Sequence, residues 1–325
     1  YPDRTHPLWE SYLETFIPDV EYRRFVRKVL GYGLLAGNPD RLIVFLQGGT
    51  STGKSTMLDA VQAALGGWTD SSYASTVNAN ALFREKQDAG PAPEMMKALP
   101  KRMVFCSEIG THNRLHSDVI KRLTGGDAIS ARALYSNKVI DQQPMFTPYI
   151  ATNSMPTIQD GDSALWRRLL VLPFDHSVPG ENPSMTRIKD VPEALEAVLS
   201  WLVDGLLDYL LERLPRERWP AVCKQRQQAF IAGTSDFQAF LSEYTSKVSG
   251  SFVERPKLHS LYRQWAIAEG VKNSDIMSGR AIGTLMRQNG YGTTEKSVRK
   301  KDSKTPVKNR FYVGLSLKKD VEEDA

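Results

Sequence analysis

The chain has few cysteines and histidines and no long apolar run. Its 325 residues include two cysteines and five histidines, and Cys106 and Cys223 lie far apart in sequence. So few ligands exclude a disulfide or zinc framework and favour a reducing, cytoplasmic compartment. No uncharged apolar run approaches the length of a membrane span, and no basic-then-apolar signal opens the chain, so we expect no membrane partner.

A net excess of positive charge is also lacking, except near the C-terminal end. The net charge is +5, but residues 287–319 contain ten lysines and arginines against two acids. That segment therefore carries +8, which leaves about −3 for the remainder. Such an uneven distribution predicts an anionic partner at this end, most simply nucleic acid, although a solvated charged surface is the alternative.

The strongest local signal is a glycine-rich run directly after the apolar stretch 42–46. In GGTSTGKST, Gly48 and Gly53 bracket four residues, and Lys54 and Ser55 follow, which fits the phosphate-binding P-loop pattern. Glycines let successive backbone N–H groups converge on phosphate oxygens, Lys54 supplies a charge, and the Ser55 hydroxyl is a ligand for Mg²⁺. The predicted ATP site consists of Gly48, Gly49, Thr50, Ser51, Thr52, Gly53, Lys54, Ser55 and Thr56.

Short apolar runs alternate with helical patterns from residue 42 to residue 174, which predicts an α/β domain. The expected strands are 42–47, 72–77, 103–107, 146–151 and 169–174. Residues 9–35 have helical spacing. Residues 190–214 form an amphipathic helix, whose apolar side consists of Leu195, Val198, Leu199, Leu202, Leu206, Leu207, Leu210 and Leu211.

Helical patterns at 237–247, 256–269 and 279–289 precede two basic strands, one after Gly290 and the other at 310–317. Three helices followed by a hairpin predict a winged helix. Its expected DNA contacts are Lys296, Arg299, Lys300, Lys301, Lys308 and Arg310.

Polar residues at the ends of two predicted strands suggest hydrolytic chemistry. Glu108 ends the strand 103–107 and is the candidate to activate water and to assist Mg²⁺. Asn153 follows the strand 146–151 and is a candidate to hydrogen-bond that water or the γ-phosphate. A solvated glutamate and a turn asparagine are the alternatives.

Two arginines precede the last predicted strand. A planar guanidinium suits a phosphate in transition, and in ring ATPases one subunit supplies it to its neighbour. We expect Arg167 or Arg168 to be this arginine finger, with the other as a salt-bridge partner, and the sequence does not choose between them.

These motifs together resemble superfamily 3 helicases. The motifs GGTSTGKST, RMVFCSE, IKRLTGGDAISARALY, FTPYIATN and ALWRRLLVLPF occur in this order. The likeness covers nearly the whole chain and is nearest to the C-terminal helicase portion of phage, plasmid and poxvirus primase-helicases. Two positions depart from the pattern: Thr52 stands where Asn is frequent, and Ser107 stands where a first acid is usual.

The resemblance implies an AAA+-type P-loop domain with N-terminal helices, a helical lid and a C-terminal winged helix. The expected divisions are residues 1–40 (helices), 41–175 (ATPase core), 176–235 (lid and linker), 236–319 (winged helix) and 320–325 (acidic tail).

The implied activity is that of a hexameric, ATP-driven ring that translocates 3′ to 5′ on single-stranded DNA. It would be a replicative helicase of a phage, plasmid or integrated element, in the bacterial cytoplasm. A hairpin from Ile129 would project into the channel, with Lys138 at its tip and Arg132 nearby on the DNA backbone. Further expected partners are origin or duplex DNA at the winged helix and a primase or polymerase.

Two other functions remain open at this stage. One is a P-loop ATPase that loads or remodels a protein partner on DNA. The other is a nucleotide-gated DNA-binding initiator, against which Glu108 and the two arginines argue, since a binder needs neither. RNA as the track is not excluded either. We find no Asp-rich polymerase-type site and no zinc-ligand set, and so expect no primase centre in this chain.

Overall fold

A computed structural model defines two compact units, Tyr1–Ile231 (unit 1) and Ala232–Ala325 (unit 2). It describes residues 4–83, 93–107, 114–132, 139–159, 163–178, 183–234, 236–269, 276–288, 290–298 and 307–318. In these residues no helix is long and apolar enough to cross a membrane.

Helices surround the central sheet of unit 1. In chain order they are α1 (Pro7–Phe16), α2 (Val20–Tyr32), α3 (Lys54–Ala64), α4 (Ala79–Leu82), α5 (Pro93–Ala98), α6 (Ser117–Gly125), α7 (Ser163–Trp166), α8 (Pro183–Thr186), α9 (Pro192–Glu212) and α10 (Ala221–Thr234). Short 3₁₀ helices occupy Arg187–Asp190 and Arg216–Arg218.

The strands of unit 1 form a five-stranded parallel sheet and two small pairs. In chain order they are β1 (Ile43–Gln47), β2 (Ala74–Thr76), β3 (Met103–Ser107), β4 (Arg114–His116), β5 (Ile129–Arg132), β6 (Val139–Gln142), β7 (Thr147–Thr152), β8 (Thr157–Gln159) and β9 (Leu169–Pro173). The large sheet has the order β2-β3-β7-β1-β9, and all its neighbours are parallel. The predicted α/β class is therefore confirmed, and the structure adds that the central sheet is parallel.

Both faces of this sheet are buried, which explains why its strands read as continuous apolar runs. Val44 and Leu46 of β1 join one core cluster, together with the N-terminal helices and α9. Ile43 and Phe45 point the other way, into a second cluster with Leu123 of α6. Alternation along each strand thus divides one apolar run between two cores.

The small strand pairs differ in direction. β5 and β6 are antiparallel, with Ile129 opposite Gln142 and Arg132 opposite Val139, as expected for a hairpin. Residues 133–138, including its tip at Lys138, lie outside the described part of the chain. β4 and β8 form a short parallel pair that the sequence did not predict.

Helix α9 packs on α2 through small residues rather than through its leucines. A Cβ atom at Gly31 would stand 2.3 Å from the backbone nitrogen of Leu206, and one at Gly205 would stand 2.1 Å from the carbonyl oxygen of Arg27. Leu211 is 85% exposed, and Leu207 and Leu210 are about half exposed. The expected apolar face is therefore confirmed at Val198 and Leu202, which are buried in the core. It was wrong at Leu207, Leu210 and Leu211, beyond the close contact of the two backbones.

Unit 2 contains helices and an antiparallel sheet. The helices are α11 (Asp236–Tyr244), α12 (Arg255–Ala268) and α13 (Gly279–Gln288), and the strands are β10 (Thr245–Glu254), β11 (Gly292–Val298) and β12 (Val307–Leu317), in the order β10-β12-β11. Residues 245–247 were expected to be helical, but they begin β10. That strand pairs with β12 on both sides of a bulge between Lys247 and Phe252.

The two cysteines are buried and unbonded to each other. Burial raises the pKa of the Cys106 thiol and that of the Cys223 thiol to about 12. The prediction that these cysteines form no disulfide is confirmed.

Candidate active site

The glycine-rich loop 48–53 links β1 to α3 at the carboxyl end of the sheet. Ser51 has φ 57° and Gly53 has φ 85°, so the chain turns through left-handed conformations before α3 begins. A Cβ atom at Gly53 would stand 2.7 Å from the Phe16 ring. Gly53 is therefore required both by its backbone angle and by the close approach of α1.

Helix α1 supports this loop directly, which the sequence did not indicate. Tyr12 is fully buried and donates a hydrogen bond from its hydroxyl to the Gly53 carbonyl oxygen at 2.9 Å. Burial raises the pKa of Tyr12, so the hydroxyl keeps its proton. The Trp9 ring stacks on Tyr12 at 5.2 Å and fixes its position.

Lys54, at the start of α3, is buried inside the loop. Its ammonium donates to the carbonyl oxygens of Gly48 at 2.8 Å and Gly49 at 2.5 Å, and to Thr52 Oγ1 at 3.0 Å. Desolvation lowers its pKa. All three acceptors of the ammonium thus lie within the loop, and these hydrogen bonds hold the loop closed around the positive charge.

The beginning of α3 exposes groups that suit an anion. The first N–H groups of a helix have no partner within it, and Gly53 at the N-cap has no side chain to accept from them. Gly49, Thr50, Ser51 and Ser55 are exposed around this end. Uncapped N–H groups, a helix dipole and the Lys54 charge together fit a phosphate group, and the accessible Ser55 hydroxyl fits a Mg²⁺ ligand.

Strand pairing brings Asn153 beside the loop. Gln47 and Thr152 are register partners at the ends of β1 and β7, and Gly48 N–H donates to the Thr152 carbonyl oxygen at 3.2 Å. The Gln47 side chain also donates to the Asn153 carbonyl oxygen at 3.3 Å. Asn153 is exposed at the same edge of the sheet as the loop.

The predicted acid follows the next strand. Ser107 ends β3 and pairs with Ala151 of β7, so β3 reaches the same edge one strand further from the loop. Glu108 itself lies outside the described residues. In the described part of the chain, no cluster of three or more His, Cys, Asp or Glu has the arrangement of a metal site.

Arg226 also reaches this edge of the sheet, which the sequence did not indicate. Its guanidinium donates to both carboxylate oxygens of Asp175, at 2.9 Å and 2.7 Å, and to the Gln47 side-chain oxygen. Asp175 follows β9, and Arg226 lies on α10. The stretch that contains Arg226 was expected to be part of the lid and linker (176–235), and only the three-dimensional contact identifies this arginine.

The two candidate finger arginines have different surroundings. Arg168 donates to the Lys121 carbonyl oxygen at 3.0 Å and to Thr124 Oγ1 at 2.7 Å, which ties β9 to α6. The Arg167 side chain is exposed. The backbone before it is fixed, since Arg216 and Gln227 both donate to the Trp166 carbonyl oxygen, at 2.7 Å and 2.8 Å.

The predicted DNA contacts are described only in part. Lys138, Arg299, Lys300 and Lys301 lie outside the described residues, as do the side chains of Arg132 and Lys308. Lys296 is exposed, with its ammonium 3.2 Å from the centroid of the Phe252 ring. Arg310 is exposed and forms a 2.7 Å ion pair with Glu295 on the neighbouring strand.

Comparison with known proteins identifies relatives among viral replication proteins. No family model matches the chain. It is 26% identical over 277 residues to "Putative helicase 022R" of frog virus 3 (isolate Goorha). This match covers 79% of this chain and 28% of that protein. It is 31% identical over 159 residues to "Primase D5" of fowlpox virus (strain NVSL). This second match covers 47% of this chain and 19% of that protein.

Among solved structures, the A-form apo structure of the NrS-1 C-terminal region is similar at a TM-score of 0.48 and 12% identity, over 96% of this chain and 77% of that one. The chain spans less than a third of the length of either viral relative. By sequence the chain is a relative of viral helicases and of primase D5, which confirms the resemblance to superfamily 3 helicases that its motifs predict.

Proposed function

We propose that this chain is an ATP-dependent DNA helicase, acting in the replication of a virus, phage, plasmid or integrated element. The observation that carries the proposal is the glycine-rich loop closed around Lys54, with Asn153 on the adjacent strand end. The names of the two viral relatives, a helicase and a primase, support the same class of activity.

ATP hydrolysis needs a held phosphate chain and an oriented water. In this proposal the loop N–H groups and Lys54 bind the phosphates, and the ammonium exchanges its carbonyl partners for phosphate oxygens. Ser55 and Glu108 hold Mg²⁺, which neutralises charge on the phosphates when bound. Glu108 activates the water and Asn153 orients it.

We assign the finger role to Arg167. Its side chain is exposed on a fixed backbone and can therefore reach a phosphate presented by a second copy of the chain. Arg168 is half-buried and hydrogen-bonded to α6. An arginine that acts on a neighbouring subunit requires an oligomer, and a ring, most simply a hexamer, closes such contacts. Residues 176–235 would then be the lid over the nucleotide.

DNA would be held at two places. The β5–β6 hairpin would face the ring channel and track the single-stranded backbone 3′ to 5′, with Arg132 and Lys138 as its cationic contacts. Unit 2, with its helices and its β11–β12 hairpin, would be a winged helix that binds duplex or origin DNA. A partner primase or polymerase would be recruited by the assembled ring.

The test of the nucleotide site is turnover by Lys54→Ala and Glu108→Gln. Lys54→Ala removes the phosphate-facing charge and should abolish ATP binding, while Glu108→Gln should leave ATP bound but unhydrolysed. Lys97→Ala is the matched control, because this lysine is 66% exposed and its 3.2 Å ion pair is with Asp70, which is 88% exposed. Wild-type turnover in Lys54→Ala would refute the site, and wild-type turnover in Glu108→Gln would move the catalytic acid elsewhere.

A further inference from the structure

One face of the unit 2 sheet carries aromatic side chains directed away from the core. Val253 and Tyr312 are buried in the core of unit 2. Because neighbouring strand residues point to opposite sides, Phe252, Phe311 and Val313 lie on the other face. Phe252 is 43% exposed, and Phe311 and Val313 are partly exposed.

Strand register gathers these residues into one surface. Phe252 is opposite Val313, and Phe311 is opposite Glu254 on one side and Thr294 on the other. Lys296 pairs with Asn309 two residues from Phe311. We call the surface formed by Phe252, Glu254, Thr294, Lys296, Asn309, Phe311 and Val313 the outer sheet face.

The face carries one cation and one acid, and it belongs to a basic segment of the chain. The Lys296 ammonium lies 3.2 Å from the Phe252 ring centroid, where it covers an exposed aromatic surface. Glu254, the one acid of this set, accepts a 2.8 Å hydrogen bond from the Asn309 amide. The surrounding segment 287–319 carries the +8 excess found in the sequence.

We propose that the outer sheet face binds single-stranded nucleic acid by stacking unpaired bases on Phe252 and Phe311. A flat aromatic surface beside a cation is what single strands require, because every base has a π-face and every nucleotide a phosphate. On binding, a base takes the position of the Lys296 ammonium over Phe252, and the ammonium moves to a phosphate. Paired bases in a duplex do not offer their faces, so duplex DNA gains only from the charge.

This site is separate from the proposed motor. It uses neither the glycine-rich loop nor the β5–β6 hairpin, and the binding assay contains no ATP. A chain without ATPase activity would therefore give the same result, and failure of this inference can be told from failure of the proposed function.

The experiment measures anisotropy of the full chain with a labelled ten-nucleotide thymidine strand and with an abasic strand of equal length. The wild type should prefer the strand with bases, by about 5- to 150-fold if one base stacks. Phe252→Leu, which keeps apolar bulk but removes the ring, should lose this preference. Phe252→Tyr should retain it, which also controls for folding because both variants fill the same position.

Charge is tested with Lys296→Gln against Lys247→Gln. Lys247 also covers an aromatic ring, at 5.7 Å from the Tyr291 centroid, but it pairs with buried Leu315 beyond the bulge. Lys296→Gln should weaken the binding of both strands. It should also reduce the slope of log affinity against log salt concentration by about 0.7, as expected for one phosphate contact, whereas Lys247→Gln should do neither. An unchanged base preference in Phe252→Leu, or equal effects of the two lysine variants, would overturn the proposal.

Discussion

At the residue scale, the candidate site depends on how each cation is held. Lys54 is buried and bonded inside the loop, Arg168 is bonded to α6, and Arg226 is bonded to Asp175. The Arg167 side chain, in contrast, is exposed on a fixed backbone. These differences assign different consequences to the loss of chemically similar residues.

Arg168→Ala and Arg167→Ala should therefore separate stability from turnover. Arg168→Ala removes two charge-assisted hydrogen bonds and should lower the free energy of unfolding by about 1.5–3 kcal/mol. Arg167→Ala should lose turnover about a thousandfold or more if it is the finger. Because its side chain is exposed, the free energy of unfolding should fall less than in Arg168→Ala. The exposed Arg218→Ala is the control for both. The assignment fails if Arg167→Ala retains wild-type turnover.

The histidine of unit 2 should make stability depend on pH. Burial, and then the charge of Arg255, lower the pKa of His259 below its ordinary 6.5, and its Nε2 lies 2.9 Å from the Tyr312 hydroxyl. As pH falls through 6.5, the unfolded chain takes up a proton that the folded chain resists, so the free energy of unfolding falls. Above that pH the contribution is fully present.

His259→Gln should reduce this dependence. Thermal unfolding measured from pH 7.5 to 5.5 should show a smaller loss of melting temperature in the variant than in the wild type. Equal slopes in the two proteins would mean that His259 titrates normally in the folded chain.

At the element scale, the α2–α9 contact determines how the N-terminal helices are held on unit 1. The helices touch at Gly31 and Gly205, and ion pairs flank the contact, including Arg27 with Asp208 at 2.7 Å and Arg24 with Glu212 at 2.7 Å. The half-exposed Arg24–Glu212 pair adds little stability by itself. Backbone proximity is the more demanding feature, because even a methyl group has no space.

Gly31→Ala and Gly205→Ala should each destabilise unit 1 by about 1–3 kcal/mol, since the helices must separate to admit the methyl group. Leu211→Ala on the same α9 should be near neutral, because this side chain is 85% exposed. Denaturant unfolding measures all three. A neutral Gly205→Ala would mean that the helices separate without cost.

The elements that the sequence predicted best are those with buried periodic side chains. The strands of the parallel sheet were found within two residues at each end, because both their faces are apolar. β10 was missed entirely, because TSKVSGS has no alternating pattern and the strand is defined by its pairing with β12. The face of α9 was predicted correctly at Val198 and Leu202, which are buried, but not at its last turns, where Leu207, Leu210 and Leu211 are exposed.

The residues of the candidate site also differ in whether a local sequence pattern or only tertiary packing identifies them. The loop 48–53 and Asn153 are predictable, because the first is a local motif and the second ends an apolar strand. Tyr12 and Arg226 come from helices far away in sequence, and only tertiary packing brings them to the loop edge. No local pattern distinguishes them from an ordinary core tyrosine or surface arginine.

At the scale of the whole molecule, each of the two compact units carries its own part of the proposed function. Unit 1 carries the candidate ATP site and the hairpin, and unit 2 carries the basic sheet. A motor that couples these parts must hydrolyse ATP faster when its track is present, whereas a protein loader or a simple DNA binder has no such requirement.

The most direct test of this account is the ATPase rate with and without single-stranded DNA, alongside strand displacement from a duplex with a 3′ tail. The account predicts DNA-stimulated turnover and unwinding from the 3′ tail, both lost in Lys54→Ala. ATPase activity that is indifferent to DNA, with no displacement, would contradict the helicase assignment and favour an ATPase that acts on a protein partner.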